Sequence, residues 1–214
     1  MARLWQKRLA WQLVAHGSLL MKRGLDIAVA AILLILLSPL LLLIALAIKL
    51  EDGGPVRFRQ TRVGLRGRTF EMWKFRSMVL NSDALKKNLA NEMQSNVLFK
   101  MRNDPRITRV GKWLRRSSAD ELPQLWNVLR GDMSLVGPRP PLPSEVERYG
   151  AEDRQRLFAK PGLTCFWQVG GRSEIDFQDQ VRLDLGYIRS ASLWVDIKLL
   201  FQTIPAVLLG KGAY

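Results

Sequence analysis

Histidine and cysteine are almost missing from this chain: among 214 residues there is one of each, His16 and Cys165. A single cysteine excludes an internal disulfide and any zinc site built on cysteine pairs, and it suits a reducing compartment. With one histidine, near the N-terminus, acid-base work falls to carboxylates, lysine, arginine or a bound metal. Acidic residues are also scarce, 19 against 33 lysines and arginines, which leaves a formal charge of +14. Such an excess fits two kinds of partner, nucleic acid or an anionic membrane surface with anionic substrates. No C2H2 finger, RNP signature or long basic helix is present, which lowers the nucleic-acid reading. There are no internal repeats, low-complexity tracts or interdomain linker, and the length predicts one domain.

What is abundant is apolar sequence near the start. Ile27 to Ile48 is 22 residues without a charge, about 33 Å as a helix and close to the hydrocarbon thickness of a bilayer. Arg3, Lys7, Arg8, Lys22 and Arg23 precede it, and Lys49, Arg57, Arg59, Arg62, Arg66 and Arg68 follow. Cations on both flanks favour a hairpin that enters and leaves on one side over a span. Ser38-Pro39 at the centre supplies the break, because Pro39 has no amide hydrogen and Ser38 can bond a freed carbonyl. Ahead of it, Leu4, Trp5, Trp11 and Leu13 mixed with Lys7 and Arg8 read as a basic amphipathic helix or a plain tail.

Val56 to Val63 and Arg68 to Met78 read as a β-hairpin turning through Gly64-Leu65-Arg66-Gly67. Arg57, Arg66 and Arg68 fit charged edge decoration. Asn81 to Phe99 reads as polar helix without chemistry, and Asn103-Asp104-Pro105 as a turn. Ile107, Val110, Trp113 and Leu114 then recur on one helical face, closed by Arg115 and Arg116. A helix is predicted to begin near Asp120 and to bury Leu122, Leu125, Trp126 and Leu129, with Gly131 as its stop. Its start carries adjacent carboxylates, Asp120 and Glu121, and beyond it Pro138 and Pro140 stiffen the backbone around Arg139. A guanidinium fixed in this way suits phosphate oxygens. Ser118 to Glu121 also fits an S-x-x-E capping box, in which the acids only satisfy helix amides. Helix resumes after Pro140 to about Phe158, and Lys160-Pro161-Gly162 opens a loop containing Trp167, Gly170, Gly171 and Arg172. Leu193 to Ile204 closes the chain as an amphipathic helix for a membrane interface, where Asp196 and Lys198 read as structural.

Four stretches in succession resemble one family: the apolar segment broken at Ser38-Pro39, GPVRFRQTRVGLRGRTFEMWKFRSM, NDPRITRVGKWLRRSSADELPQL with the following VGPRP, and KPGLTCFWQVGGRS. They are similar to the monotopic phosphoglycosyl transferases, bacterial sugar transferases acting on polyprenol phosphate, over about Met21 to Tyr214. Cys165-Phe166 departs from the family's usual glycine and apolar residue, which affects local loop geometry. Longer relatives carry membrane spans and a further domain before this unit, so the chain reads as the catalytic unit alone.

The resemblance implies a mainly α fold with a small β-hairpin, a membrane-associated single α+β domain whose N-terminal element is a re-entrant helix-break-helix. The expected parts are a basic amphipathic segment at 1–20, the re-entrant hairpin at 21–50, and a cytosolic catalytic domain with interfacial helices at 51–214. It implies transfer of a sugar 1-phosphate from a UDP-sugar to undecaprenyl phosphate, with release of UMP. This would be the first membrane step of exopolysaccharide, O-antigen or glycoconjugate synthesis at the cytoplasmic face of the inner membrane, feeding downstream glycosyltransferases. Asp120 would be the nucleophile, Glu121 would bind magnesium or assist deprotonation, and both acids would be metal ligands. Lys74, Arg76, Arg115 and Arg139 would bind phosphates, and Arg172 with its loop the nucleotide or sugar. Galactose or glucose is favoured over an N-acetylamino sugar. The competing readings are a membrane-anchored scaffold without activity, a nucleic-acid-binding protein with steep salt dependence, and direct sugar transfer releasing UDP.

Overall fold

Two helices meeting at a sharp bend open the chain. Helix α1 is Ala2–Leu36 and α2 is Ser38–Asp52, inclined by 61°. Pro39 cannot donate to the Ile35 carbonyl four residues earlier, and the Ser38 hydroxyl donates to it instead at 2.8 Å. The break is therefore satisfied locally, as expected of Ser38 and Pro39. Among the described residues no single helix is long and apolar enough to cross a membrane, but this bent pair is, by length and composition. The computed structural model describes residues 2–86, 101, 103–171 and 175–209. Helix α1 runs without interruption through the expected boundary at residue 20.

Polar residues at the two bases of the helix pair fasten it to the rest of the molecule. On α1, Lys22 pairs with Asp196 at 2.5 Å, and Arg23 donates to the Val128 and Leu129 carbonyls at 2.6 and 2.8 Å. Asp26 accepts from the Leu135 amide at 2.9 Å. On α2, Glu51 accepts from the amides of Arg109 and Val110, and Asp52 pairs with Arg76. Asp196 is thus structural, as its sequence context predicts.

Beyond the pair, β1 (Arg57–Val63) and β2 (Thr69–Phe75) form the predicted antiparallel hairpin, with Arg62 opposite Phe70 and Phe58 opposite Lys74. Asn127 closes its outer edge, accepting from the Trp73 amide at 3.0 Å and donating to the Glu71 carbonyl at 2.7 Å. After α3 (Ser82–Lys86) come α4 (Arg109–Arg116), a 3-10 turn at Ala119–Glu121, and α5 (Gln124–Arg130), which stops at Gly131 with φ 91°. Most of the polar helix predicted from Asn81 to Phe99 lies outside the described residues. A second sheet, absent from the sequence reading, pairs β3 (Ser134–Val136) in parallel with β4 (Gly162–Thr164). There Gly137 and Gly162 cross so closely that a Cβ on Gly162 would lie 2.0 Å from the Gly137 nitrogen. Short α6 (Pro143–Val146) and a 3-10 stretch at Asp153–Phe158 replace the continuous helix expected after Pro140. Helices α7 (Phe166–Gly170), α8 (Phe177–Ser190) and α9 (Leu193–Leu209) complete the chain.

One buried cluster joins Ala30, Met72, Leu125, Val128, Met133, Leu135, Val136, Tyr187 and Leu199. A second joins Ile44 and Ile48 of α2 with Phe75, Leu114 and Ala119. Burial of each large side chain contributes about 1.5–3 kcal/mol, so the α1–α2 pair is part of the core. Two expectations need correction. The helix after the acids begins at Gln124, not near Asp120, because Leu122 and Pro123 only continue the turn into it. Leu114 and Leu125 are buried as expected, but Trp113 and Trp126, placed on the same faces, are exposed, and Gly111 and Val128 face inward in their place.

Candidate active site

The acids are presented by a reversal between α4 and α5. Thr108 caps α4 by accepting from the Gly111 amide at 2.9 Å, and Glu51 of α2 takes the amides before it. At the other end Ser118 adopts the left-handed conformation, φ 55°, where a glycine is usual. This turns the chain sharply, and Ala119 anchors the 3-10 turn in the core. The capping-box alternative is not realised: the Ser118 side chain caps nothing, and α5 starts behind Pro123. The carboxylates are therefore available for chemistry.

Their surroundings differ. Glu121 Oε1 takes the Lys74 ammonium at 2.6 Å. Burial alone would raise its pKa, but the charge and hydrogen bond of Lys74, with Arg139 and Arg62 behind them, hold it below the usual value. Asp120 is 7 % exposed, and among the described residues no side chain donates to it. Burial pushes it up to about 6, opposed by Lys74, reinforced by the Glu121 charge and opposed again by Arg115. Two adjacent carboxylates are thus driven apart, one anchored and one free, which is how neighbouring acids take different roles.

Each nearby cation comes from a different element. Lys74 lies on the face of β2 that also carries Met72 and Phe70, a period-2 placement readable from the strand. Arg115 lies in the last turn of α4, and its Nε donates to Ser77 Oγ at 3.0 Å. Arg139 follows β3, and its Nη1 meets buried Glu145 Oε2 at 3.3 Å. Glu145 also accepts from the Leu142 amide at 2.9 Å, which pins the loop carrying Arg139. Arg62, buried on β1, completes the ring around Glu121.

The structure therefore brings together Asp120, Glu121, Lys74, Arg115 and Arg139. Arg76 is placed elsewhere: its guanidinium is bound by Asp52 and the Pro55 carbonyl and does not face the acids. Arg172 lies outside the described residues. Sequence reasoning passed over Arg62 and Glu145. Alternation along β1, which puts Arg62 on the face of Phe58 and Gln60, was a usable signal for the first. Nothing local marks the second.

The described residues contain no group of three or more His, Cys, Asp or Glu arranged to hold a metal. Magnesium, however, is commonly held by one or two carboxylates together with substrate phosphates and water. The free Asp120 carboxylate beside Glu121 fits that requirement. The ring of cations suits phosphate oxygens, and the bare carboxylate suits either a metal or an electrophilic phosphorus.

Comparison with known proteins accords with this geometry. Residues 17–210 match the family described as bacterial sugar transferase. The galactosyl transferase CpsE of Streptococcus agalactiae is 46 % identical over 200 residues, covering 92 % of this chain and 44 % of that protein. The undecaprenyl-phosphate galactose phosphotransferase of Salmonella typhimurium is 45 % identical over 212 residues, covering 97 % and 44 %. The UDP-glucose:undecaprenyl-phosphate glucose-1-phosphate transferase of Caulobacter vibrioides is 46 % identical over 203 residues, covering 91 % and 72 %. The chain spans less than half the length of the first two relatives. With nearly the whole sequence matched, this chain belongs to the bacterial sugar transferase family.

Proposed function

We propose that the protein transfers a hexose 1-phosphate from a UDP-sugar to undecaprenyl phosphate, in two steps through Asp120. The observation that carries this reading is the buried Asp120 carboxylate, to which no described side chain donates, between Lys74 and Arg115 and beside Glu121, on which Lys74, Arg139 and Arg62 act. An acid tied up by a side-chain donor would read as a structural group; this one has only a backbone amide to bond. In the first step an Asp120 oxygen attacks the phosphorus that bears the sugar. The bond from that phosphorus to the UMP oxygen breaks, and UMP leaves with the electron pair. In the second step an oxygen of the lipid phosphate attacks the same phosphorus, releasing Asp120 as a carboxylate and leaving a polyprenyl-diphosphate sugar.

The main barrier is electrostatic, because a carboxylate must approach a diphosphate. Lys74, Arg115 and Arg139 are already oriented by their protein partners, so they offset that repulsion with little reorganisation. Glu121, held by Lys74, keeps the ammonium directed into the site. A magnesium ion held by Asp120 and Glu121 would further neutralise phosphate charge when bound. The relatives' names divide between galactose and glucose, which supports a hexose donor.

The bent α1–α2 pair, with basic residues on both flanks and outward-facing leucines, supports docking in the cytoplasmic leaflet of the bacterial inner membrane. There a long lipid can present its phosphate to a soluble nucleotide sugar. The test is intact-protein mass after mixing detergent-purified protein with magnesium and UDP-galactose or UDP-glucose, without lipid. A hexose-phosphate adduct on wild type and none on Asp120→Asn, with UMP released, is expected. UMP formed only when polyprenyl phosphate is added, with no adduct under any condition, overturns the two-step route.

A further inference from the structure

Four arginines are buried among the described residues, Arg62, Arg76, Arg106 and Arg156, at 6, 7, 5 and 4 % exposure. Three have a carboxylate of their own: Asp52 for Arg76, Asp104 for Arg106 and Asp184 for Arg156. Arg62 has only neutral acceptors. Its Nη2 and Nε donate to Gln60 Oε1 at 2.6 and 3.1 Å, and its Nη1 donates to the Pro140 carbonyl at 2.9 Å. Hydrogen bonding is satisfied, but the charge is not balanced, and buried charges are ordinarily paired. The two carboxylates that act on it from further away are already engaged, Glu145 by Arg139 and Glu121 by Lys74. Arg139 adds a like charge beside it.

The second observation is where Arg62 holds the chain. Pro138, Pro140 and Pro141 have no amide hydrogen, so this loop can be gripped mainly by its carbonyls. The end of β1 supplies two donors in succession: the Arg62 side chain to the Pro140 carbonyl, and the Val63 amide to the Pro141 carbonyl at 2.9 Å. Arg139 is thus fixed from β1 on one side and from Glu145 on the other. Lys74, Arg62, Arg115 and Arg139 are four cations set about three carboxylates, Asp120, Glu121 and Glu145.

We propose that Arg62 is a positioning residue for phosphate capture: through Pro140 it holds Arg139 in place, and its unpaired charge is completed by a phosphate or diphosphate ester. The proposal rests on the function given above and names a residue that the family-like motifs did not single out. A purely structural arginine would be served by an internal acid, as the other three are.

The test is binding of UMP, inorganic pyrophosphate and a short-chain polyprenyl phosphate to detergent-purified wild type, Arg62→Gln, Arg62→Lys, Arg139→Gln and the double variant Arg62→Gln/Arg139→Gln. Losing a charged group next to a bound phosphate is expected to weaken binding about tenfold in Arg62→Gln, with part of the loss recovered in Arg62→Lys. In the Arg139→Gln background the further loss should fall to about twofold or less, because the two act as one unit. Weaker UMP and pyrophosphate binding identifies the nucleotide's phosphates as the partner, and weaker polyprenyl phosphate binding alone identifies the lipid's. Unchanged affinity for all three probes, or a loss undiminished in the Arg139→Gln background, overturns the proposal. Should Arg62→Gln fail to fold, Gln60→Ala releases the guanidinium without removing its charge and tests the positioning alone: weaker pyrophosphate binding that vanishes in the Arg139→Gln background is expected, and unchanged binding overturns it. Wild type that binds pyrophosphate but forms no adduct and releases no UMP with any UDP-sugar, with or without polyprenyl phosphate, would refute the transfer reaction, while the pyrophosphate comparison still decides the role of Arg62.

Discussion

The two halves of this molecule invert each other. The α1–α2 pair turns Ile35, Leu42 and Leu43 outward, at 72, 71 and 64 % exposure, while the catalytic half buries arginines. Each arrangement is unfavourable in isolation, since water does not reward exposed leucine and a packed interior penalises an unpaired cation. On the function proposed above, each half would be completed by something outside the chain: an apolar surface for the helix pair, and an anion for the half that carries the acids. The join between them is apolar at Ala30, Ile44 and Ile48 and polar at its ends, through Lys22, Asp26, Glu51 and Asp52, which fixes their relative placement.

The sharpest way to break this picture is at the acid that lacks a side-chain partner. Asp120→Asn should lower sugar-phosphate transfer by about 1,000-fold or more, as loss of a nucleophile does, and should also stabilise the fold. The Asp120 pKa is raised to about 6 in the folded protein, so the folded state holds its proton more tightly than the unfolded chain does. The carboxylate therefore opposes folding at pH 7.5 and ceases to do so as the pH falls through 6 towards 4. Thermal unfolding of the variant should show a gain on the order of 1–3 kcal/mol at pH 7.5 that disappears near pH 4. A destabilised Asp120→Asn would refute the idea of a carboxylate held buried against its own charge.

The next largest effect compares one substitution in the two halves. Leu114→Ala, at a side chain with 0 % exposure, should cost about 2–5 kcal/mol in chemical denaturation. Leu42→Ala, on the outward face, should change it by only about 0.5 kcal/mol or less, while lowering retention on lipid vesicles. Equal costs would mean that the outward face is already covered within the protein. Between these lies the join. Asp52→Asn leaves the buried Arg76 guanidinium without its carboxylate, and since Asp52 is partly exposed the loss should be about 1–2 kcal/mol, measured by the same denaturation. A further effect is on rate against pH. Adduct formation should be flat above about pH 7 and fall as Asp120 takes its proton below about 6, by about tenfold per unit.

Much of this was legible in the linear chain where the controlling interactions are local. Ser38-Pro39 specified the bend because a missing amide and a hydroxyl one residue apart act within a single turn. The β-hairpin followed from two apolar-alternating runs about a glycine-bounded turn. Gly131 ended its helix because the position requires positive φ. Where the reading missed, the reason was distance along the chain. Trp113 and Trp126 satisfied helical spacing, but which stripe of a helix is buried depends on what packs against it. The parallel pairing of β3 with β4 joins three-residue segments whose own sequence carries too little pattern to mark a strand.

By itself, the sequence determined the broken apolar helix, the excess of positive charge, the adjacent acids and the proline-braced arginine, and with them membership of the family. Only the tertiary structure decided which cations face those acids. Lys74 reaches Glu121 across 47 residues, Arg62 reaches Pro140 across 78, and Arg76, alike in charge and only two residues from Lys74, is drawn instead to Asp52. Charge is a property of the residue. Pairing is a property of position in space, and strong, short-range contacts between groups brought together by packing decide it.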